Sequence, residues 1–409
     1  MVSDSETLTY ERIIPTRPAD LYRAFTSSTA LREWLCDTAT TSARPNGHVF
    51  VGWNDGYYAT GHFVELLENR VVCFTWQGRG EPRPTQVHVA IQPAAEGVAL
   101  TLTHSAIGHG PEWGDKTAEF DRAWRRALEN LESVVTTGED LRVTRRPMLG
   151  ILPATLTAAE AGRLGLPDAA GVRLSGVVPG LGAEAAGLRA DDVIVAIDGL
   201  PTPDVNGLRA ALRGRNAGDT VVVDYIRDGE RQATGMILSG RKIPAIPASA
   251  AELVERVAAR YAQDEAALDY TLRDVTEVEA SYRPGLEEWS VKHVLAHLIQ
   301  GERYNQQWIG ELVGDLEGSY DAPAGNAELR LNATIHAFPT LADLVAELKR
   351  LNAETVALLR DLPQEFVTRR RTFWRLARTL LDESYSHIGD HLHQMQSAVA
   401  AARVAGFGG

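Results

Sequence analysis

Between about Glu6 and Thr137 apolar and polar residues alternate in short runs, and the pattern ends in helical spacing. The runs 48–53, 58–67, 70–77, 86–93 and 99–105 predict strands, each bounded by Gly, Pro, Asn or Asp. Helical stretches bracket them. Over 18–35, Leu21, Phe25, Leu31 and Trp34 share one side; over 115–136, Phe120, Trp124, Leu128, Leu131 and Val135 do. From Leu141 to Lys242 the chain turns rich in Gly and Val and holds no histidine. Short strands are predicted at 171–178, 192–197 and 220–227, and a helix at 205–213 capped by Asp204. Pro244 and Pro247 mark a stiff linker. Beyond it the spacing predicts helices over 250–275, 290–316, 340–361 and 372–402, with Ser290 and Thr340 as caps. The expected organisation is three domains, 1–138, 141–242 and 250–409, with 243–249 as linker. The fold class is multidomain α+β: a sheet-and-helix domain, a small β-barrel-like domain and an all-α four-helix bundle.

Composition narrows the partners. A chain of 409 residues is too long for one ordinary core. Its net charge of −13 excludes nucleic acid and anionic membranes as expected partners, since neither attracts an acidic surface. No apolar run approaches a membrane span. The first residues, Met1 to Glu6, are polar and acidic, so no signal peptide is read there. Two cysteines, Cys36 and Cys73, make no disulfide framework, and the expected compartment is the cytoplasm.

Chemistry concentrates near the C-terminus. His387 and His391 stand four residues apart, one helical turn, and project from one side of a helix. A third imidazole from another helix would complete a three-nitrogen face for a divalent metal and leave a position open for water or substrate. In the last helix Leu381, Tyr385, Ile388, Leu392, Met395 and Val399 form the core stripe, so both histidines fall at its edge. His297 flanks the stripe Val291, Val294, Leu295 and Leu298 in the same way. His293 and His393 read as solvated or supporting groups, and Asp390 and Glu302 either as groups that orient a ligand imidazole or, the plainer reading, as surface charges. The plainest alternative is three satisfied or surface histidines. No Ser/His/Asp set and no Gly-rich phosphate loop is visible in this segment.

These residues carry three resemblances. Trp289-Ser290-Val291, His297-Leu298 followed by Glu302, and His387-x-x-x-His391 resemble the DinB superfamily of four-helix bundles. That resemblance implies His297, His387 and His391 as ligands of a divalent metal, zinc or nickel, and a reaction using a low-molecular-weight thiol, as in transferases or isomerases. Met148-Leu149-Gly150-Ile151, the run Val177 to Leu188, Asp191 to Gly199, and Gly218 to Gly229 resemble a bacterial PDZ domain of the HtrA type, without the protease. It implies Leu149, Gly150 and Ile151 as a loop capturing a terminal carboxylate, with Leu208 and Leu212 walling the last side-chain pocket. Pro18 to Thr26, Leu31-x-x-Trp34-Leu35 and the helix around Trp124 resemble the START-like (SRPBCC) superfamily, nearest its heat-shock ATPase activator branch. Ala123-Trp124 stands where that branch carries Gly-Trp. The implied fold is a curved antiparallel sheet around a long helix, enclosing a cavity for a small apolar ligand. Trp53, Tyr57, Phe63, Phe74, Trp76 and His104 are its candidate lining, while Arg79, Glu81 and Arg83 read as solvated loop charge.

Two function classes follow. One is a metal-dependent thiol S-transferase or isomerase accompanied by ligand-binding and peptide-binding domains. The other is a non-enzymatic sensor, adaptor or chaperone-cofactor-like protein in which all three domains only bind.

Overall fold

In the computed structural model, residues 5–166, 170–285, 288–318, 327–382 and 387–407 are described, without the side chains of His387 and Asp390. Contacts divide the chain into two units: Met1–Glu139 together with Pro244–Gly409, and Asp140–Ile243. The linker prolines therefore sit beside a segment that rejoins the N-terminal one, which no periodicity reports.

The first segment begins with β1 (Ser5–Ile14), α1 (Pro18–Thr26), α2 (Ser28–Trp34), β2 (Thr38–Thr41) and β3 (His48–Gly52). It continues through β4 (Tyr58–Leu67), β5 (Val71–Gly78), β6 (Thr85–Ala94), β7 (Gly97–Gly108) and α3 (Lys116–Thr137). The strands form one antiparallel sheet in the order β1-β7-β6-β5-β4-β3-β2. The stretch predicted as one helix over 18–35 is two, because Ser27 is extended and its Oγ accepts from Ala30 N, capping α2. α3 buries Phe120, Trp124, Leu128 and Leu131 against the sheet, the spacing expected of one helix face.

Buried polar groups in this core are bonded. Trp124 Nε1 donates to His104 Nδ1 at 3.0 Å, so the proton of His104 sits on Nε2, which lies 2.7 Å from Thr85 Oγ1. Thr85 passes its own proton to the carbonyl of Trp76. Burial pushes the His104 pKa down to about 4 from an ordinary 6.5. The unfolded chain thus takes up this proton first as pH falls. Stability from neutral His104 is complete above about 6.5 and declines towards pH 4, by about 3 kcal/mol over the window. Urea unfolding at pH 7 and pH 4.5 should show a smaller acid loss in His104→Phe than in the native chain; equal losses would remove His104 from the account.

The second unit holds α4 (Leu141–Thr144), β8 (Ile151–Ala154), α5 (Ala158–Arg163), β9 (Val172–Val177), α6 (Gly182–Ala185), β10 (Val193–Ile197), β11 (Leu200–Pro201), α7 (Val205–Ala211), β12 (Thr220–Arg227) and β13 (Glu230–Ile237). Its sheet runs β13-β12-β10-β9-β8, with β11 paired to β10. Two-residue turns close both hairpins. Asp198-Gly199 and Asp228-Gly229 all have positive φ, which only glycine and, less readily, Asp adopt at low cost. Asp204 caps α7 through Gly207 N at 2.7 Å.

The last segment contributes α8 (Ala250–Leu272), α9 (Glu277–Ser281), α10 (Val291–Gly314), α11 (Glu328–Ala337), α12 (Leu341–Arg360), α13 (Gln364–Thr368), α14 (Arg370–Leu381) and α15 (His387–Val404). The long helices α8, α10, α12 and α15 pack as a bundle. The stretch predicted as one helix over 372–402 is interrupted: Asp382 is extended, and residues 383–386, with Tyr385 of the expected stripe, lie outside the described residues. α14 instead packs on α3 and α2 of the first segment. Charged residues cement that docking. Arg23 of α1 pairs with Asp315 at 2.6 Å, Thr372 of α14 donates to Glu33 of α2, and Arg32 of α2 lies 3.5 Å from Glu317.

Candidate functional site

Ser290 Oγ accepts from His293 N and starts α10, so the stripe Val291, Val294, Leu295 and Leu298 faces the bundle core with 0–4% exposure. His297, one position from that stripe, is half-buried at its edge. α15 brings His391 to the same place. The His297 and His391 rings lie 4.8 Å apart, centroid to centroid, at an interplanar angle of 65°. Trp289, just before the helix cap, packs against both, at 5.1 Å from His297 and 6.4 Å from His391. His387 lies one turn before His391 on α15, but its side chain is outside the described residues. Among the described residues no group of three His, Cys, Asp or Glu side chains is arranged to hold a metal.

The tautomer of His391 is set by a neighbour. Its Nδ1 lies 2.8 Å from Gln394 Oε1, a carbonyl acceptor, so Nδ1 carries the proton and the lone pair sits on Nε2. This is the state an imidazole needs to act as a ligand. Gln394 follows His391 by three residues, a spacing readable in the sequence but without chemical signature there.

Two expectations for this bundle are corrected. His293 is not solvated: it is 9% exposed, with Nδ1 2.7 Å from Ser290 Oγ and Nε2 3.8 Å from Glu328. Burial lowers its pKa. Glu302 is not a surface charge. It is 7% exposed, and its Oε1 accepts from Tyr261 Oη at 2.8 Å and from Thr355 Oγ1, while Asn305 donates to Oε2. Burial and the Glu302 carboxylate hold the Tyr261 hydroxyl protonated, well above its ordinary pKa. Tyr261, Gly301 and Glu302 line a pocket of about 210 Å³ with Leu298 and Ile388. Gly301 is one turn beyond His297 on α10, but neither His297 nor His391 is among the described residues that line the pocket.

The sheet domain has a cavity of about 290 Å³ lined by Leu35, Trp53, Tyr57, Trp76, Phe120 and Trp124. Trp53, Tyr57 and Trp76 of the expected set thus reach it. Phe63 and Phe74 are core at 0% and 3% exposure, and His104, at 0%, is tied between Thr85 and Trp124. Glu81 is buried too, contrary to the reading of solvated charge: it accepts from Tyr57 Oη at 2.7 Å and from Gly78 N. That bond orients Tyr57 at the cavity wall.

In the middle unit, Leu149, Ile151, Leu208 and Leu212 share one apolar cluster. The carbonyls of Leu149 and Gly150 accept from Ala183 N and Val178 N, which anchors the loop. Gly150 has φ +78°, and a Cβ there would stand 2.4 Å from Leu181 Cβ, so the loop conformation requires glycine. β8 is the terminal strand of its sheet and borders this cluster.

Comparison with known proteins agrees with these three segments. Residues 15–136 match the family described as activator of Hsp90 ATPase homolog 1-like protein. Residues 147–237 match the PDZ domain family, and residues 260–395 the DinB superfamily. A probable periplasmic serine protease do/HhoA-like from Haemophilus influenzae is 29% identical over 128 residues, 31% of this chain and 27% of that protein. The serine protease Do-like HtrA of Lactococcus lactis is 36% identical over 99 residues, 23% of this chain and 24% of that protein. The chain thus spans about a quarter of the curated relatives it matches. Among solved structures, the Aha1 dimer from Colwellia psychrerythraea is similar over 32% of this chain and 96% of that chain, at 19% identity and a TM-score of 0.28. Among the described residues no helix is long and apolar enough to cross a membrane.

Proposed function

We propose that the bundle is a metal-dependent thiol transferase or isomerase, with His297, His387 and His391 as ligands of zinc or nickel. The observation that carries this reading is the approach of His297 and His391 from separate helices, with the Nε2 lone pair of His391 set by Gln394. The two described imidazoles fit a divalent ion in their donor chemistry. When bound, such an ion lowers the pKa of a coordinated low-molecular-weight thiol or water. The chain's own groups do the rest. Trp289 packs beside both rings. The pocket lined by Tyr261, Glu302, Asn305 and Asn352, with Leu298 and Ile388 as its apolar wall, is the candidate space for a substrate.

The other two domains serve binding. The cavity behind Trp53, Tyr57 and Trp76 takes a small apolar ligand. The edge of β8 takes a peptide or protein C-terminus as an added strand, with Leu149, Gly150 and Ile151 at its carboxylate and Leu208 and Leu212 at its last side chain. We place the protein in the cytoplasm: Cys36 and Cys73 are both buried and not joined to each other. A second reading, in which every domain only binds, is favoured by the ready cavity and the terminal strand, neither of which needs the bundle to react.

The deciding experiment is metal analysis of chain purified without chelator. About one divalent ion per chain is expected; none, even after reconstitution, would leave only the binding reading. For the middle domain, peptides with a free apolar C-terminus should bind about tenfold or more tightly than their amidated forms, since a carboxylate accepts charge-assisted bonds that an amide cannot. Equal affinities would remove the carboxylate loop.

A further inference from the structure

Five aromatic rings, Trp53, Tyr57, Trp76, Phe120 and Trp124, stand round the cavity of about 290 Å³ in the sheet domain. Trp53 and Tyr57 are tilted by 38° at 5.3 Å, Trp53 and Trp76 by 56° at 6.2 Å, and Trp76 and Trp124 by 56° at 5.9 Å. Tilted rings leave part of each face uncovered by its neighbour, and a ring face carries the negative end of the quadrupole. The donors of these rings are all committed within the protein. Trp53 Nε1 donates to the carbonyl of Leu35 at 2.9 Å, Trp124 Nε1 to His104 Nδ1, and Trp76 Nε1 to Tyr57 Oη at 3.4 Å. Tyr57 gives its own proton to Glu81. The rings therefore present π surface and no spare N–H or O–H donor, which disfavours an anion.

The charge round this cavity is negative. Behind Tyr57, Glu81 is 7% exposed, and its oxygens accept from Tyr57 Oη and Gly78 N, both neutral groups. Among the described residues no cationic side chain pairs with it. Burying a carboxylate without a cation is costly. Two further carboxylates, Asp55 and Glu119, and one cation, Lys116, line the cavity. Lys116 pairs with Glu119 at 2.6 Å, while Asp55 accepts from Tyr57 N. Arg79 donates to the carbonyl of Gly56 and is outside the lining. Asp55 is thus the uncompensated charge of the lining, and Glu81 that of the layer behind it.

We propose that the cavity takes a small organic cation whose charge is spread over alkyl groups, as in a quaternary ammonium ion. The proposal rests on the reading of this cavity as a small-ligand site and narrows it to one charge class. The alkyl groups fill an apolar space, while the positive charge is drawn to the ring faces and to the carboxylates. Such an ion neither donates nor accepts a hydrogen bond at its charged centre, so a wall without free donors suits it. The volume lies at the small end of ligand pockets, which run from roughly 300 to 1,000 Å³.

Titration of the full chain with choline tests this, followed by calorimetry and tryptophan fluorescence. The comparison ligand is the alcohol that carries a tert-butyl group in place of the trimethylammonium group. The two share size, shape and hydroxyl, so the difference between them is the charge. Saturable choline binding in the millimolar range or tighter is expected, about tenfold or more tighter than the neutral alcohol. Trp53 is partly buried, and Trp53→Leu keeps an apolar wall while removing a ring. Choline should then bind about tenfold more weakly and the neutral alcohol nearly as before. Trp53→Phe keeps a ring, should fall between, and reads the site even if the leucine variant does not fold. The neutral alcohol binding as tightly as choline would overturn the cation and leave the apolar-ligand reading standing. Choline binding unchanged in both variants would overturn the proposal by placing choline elsewhere. Binding of neither ligand would remove both readings of the cavity.

Discussion

A chain carrying His387→Ala and His391→Ala should bring down no divalent metal while keeping nearly all of its helical content. Three imidazoles bind an ion as a chelate, and one remaining histidine holds it far too weakly to survive purification. The fold should persist for two reasons. Alanine is a better helix former than histidine at both positions of α15. The packing lost with the His391 ring, against His297 and Trp289, is worth about 1–2 kcal/mol. Metal analysis and far-ultraviolet circular dichroism on the same sample provide both readings. Full metal content in the double variant would show that the ligands lie elsewhere. Gln394→Leu gives a graded control: it removes the acceptor that orients His391, so metal affinity should drop by roughly tenfold or more without abolishing the site.

Strands and helices that bury a regular stripe were legible in the sequence, and elements without one were not. β4 was predicted at its observed bounds because its inner positions are apolar and its ends are marked by turns. β1 was missed because Glu6, Glu11 and Arg12 crowd a strand whose inner side is only Leu8, Tyr10 and Ile14. β2, Thr-Ala-Thr-Thr, and β13, with Glu230, Arg231 and Gln232 at its start, offer hardly any apolar pattern; pairing to β3 and β12 makes them strands.

The site was legible by residue type more than by surroundings. Helical spacing singled out His391 and His297, but Gln394 and Trp289 matter through where they point. Charge was the consistent blind spot. Glu33, Glu81, Glu302 and Glu317 are all buried, each held by partners the local pattern cannot see. Glu33 accepts from Thr372, 339 residues away. A carboxylate in a sequence reads as surface because burying one costs several kcal/mol without a partner, and such partners come from tertiary structure.

Glu317 follows from the same argument and should be the most costly single truncation in the first unit. Its side chain is 3% exposed, and its two oxygens take both Nη atoms of Arg375, at 2.5 and 2.6 Å. Trp308 Nε1 donates to Oε1 at 2.9 Å, and Arg32 of α2 approaches to 3.5 Å. Truncation to alanine leaves Arg375, itself largely buried, facing a cavity with an uncompensated charge, at a cost of about 3–5 kcal/mol. Glu317→Gln keeps an acceptor and the shape but loses the charge, so about half that loss is expected. Because Arg32 lies in the sheet domain and Arg375 on α14, the loss should fall on their docking. Calorimetry should show a single native transition becoming two in Glu317→Ala, as the sheet domain and the bundle unfold separately. An alanine variant that melts as one transition within about 2 °C of the native chain would mean that apolar packing of Phe373 and Trp374, and not the ion pairs, joins the two.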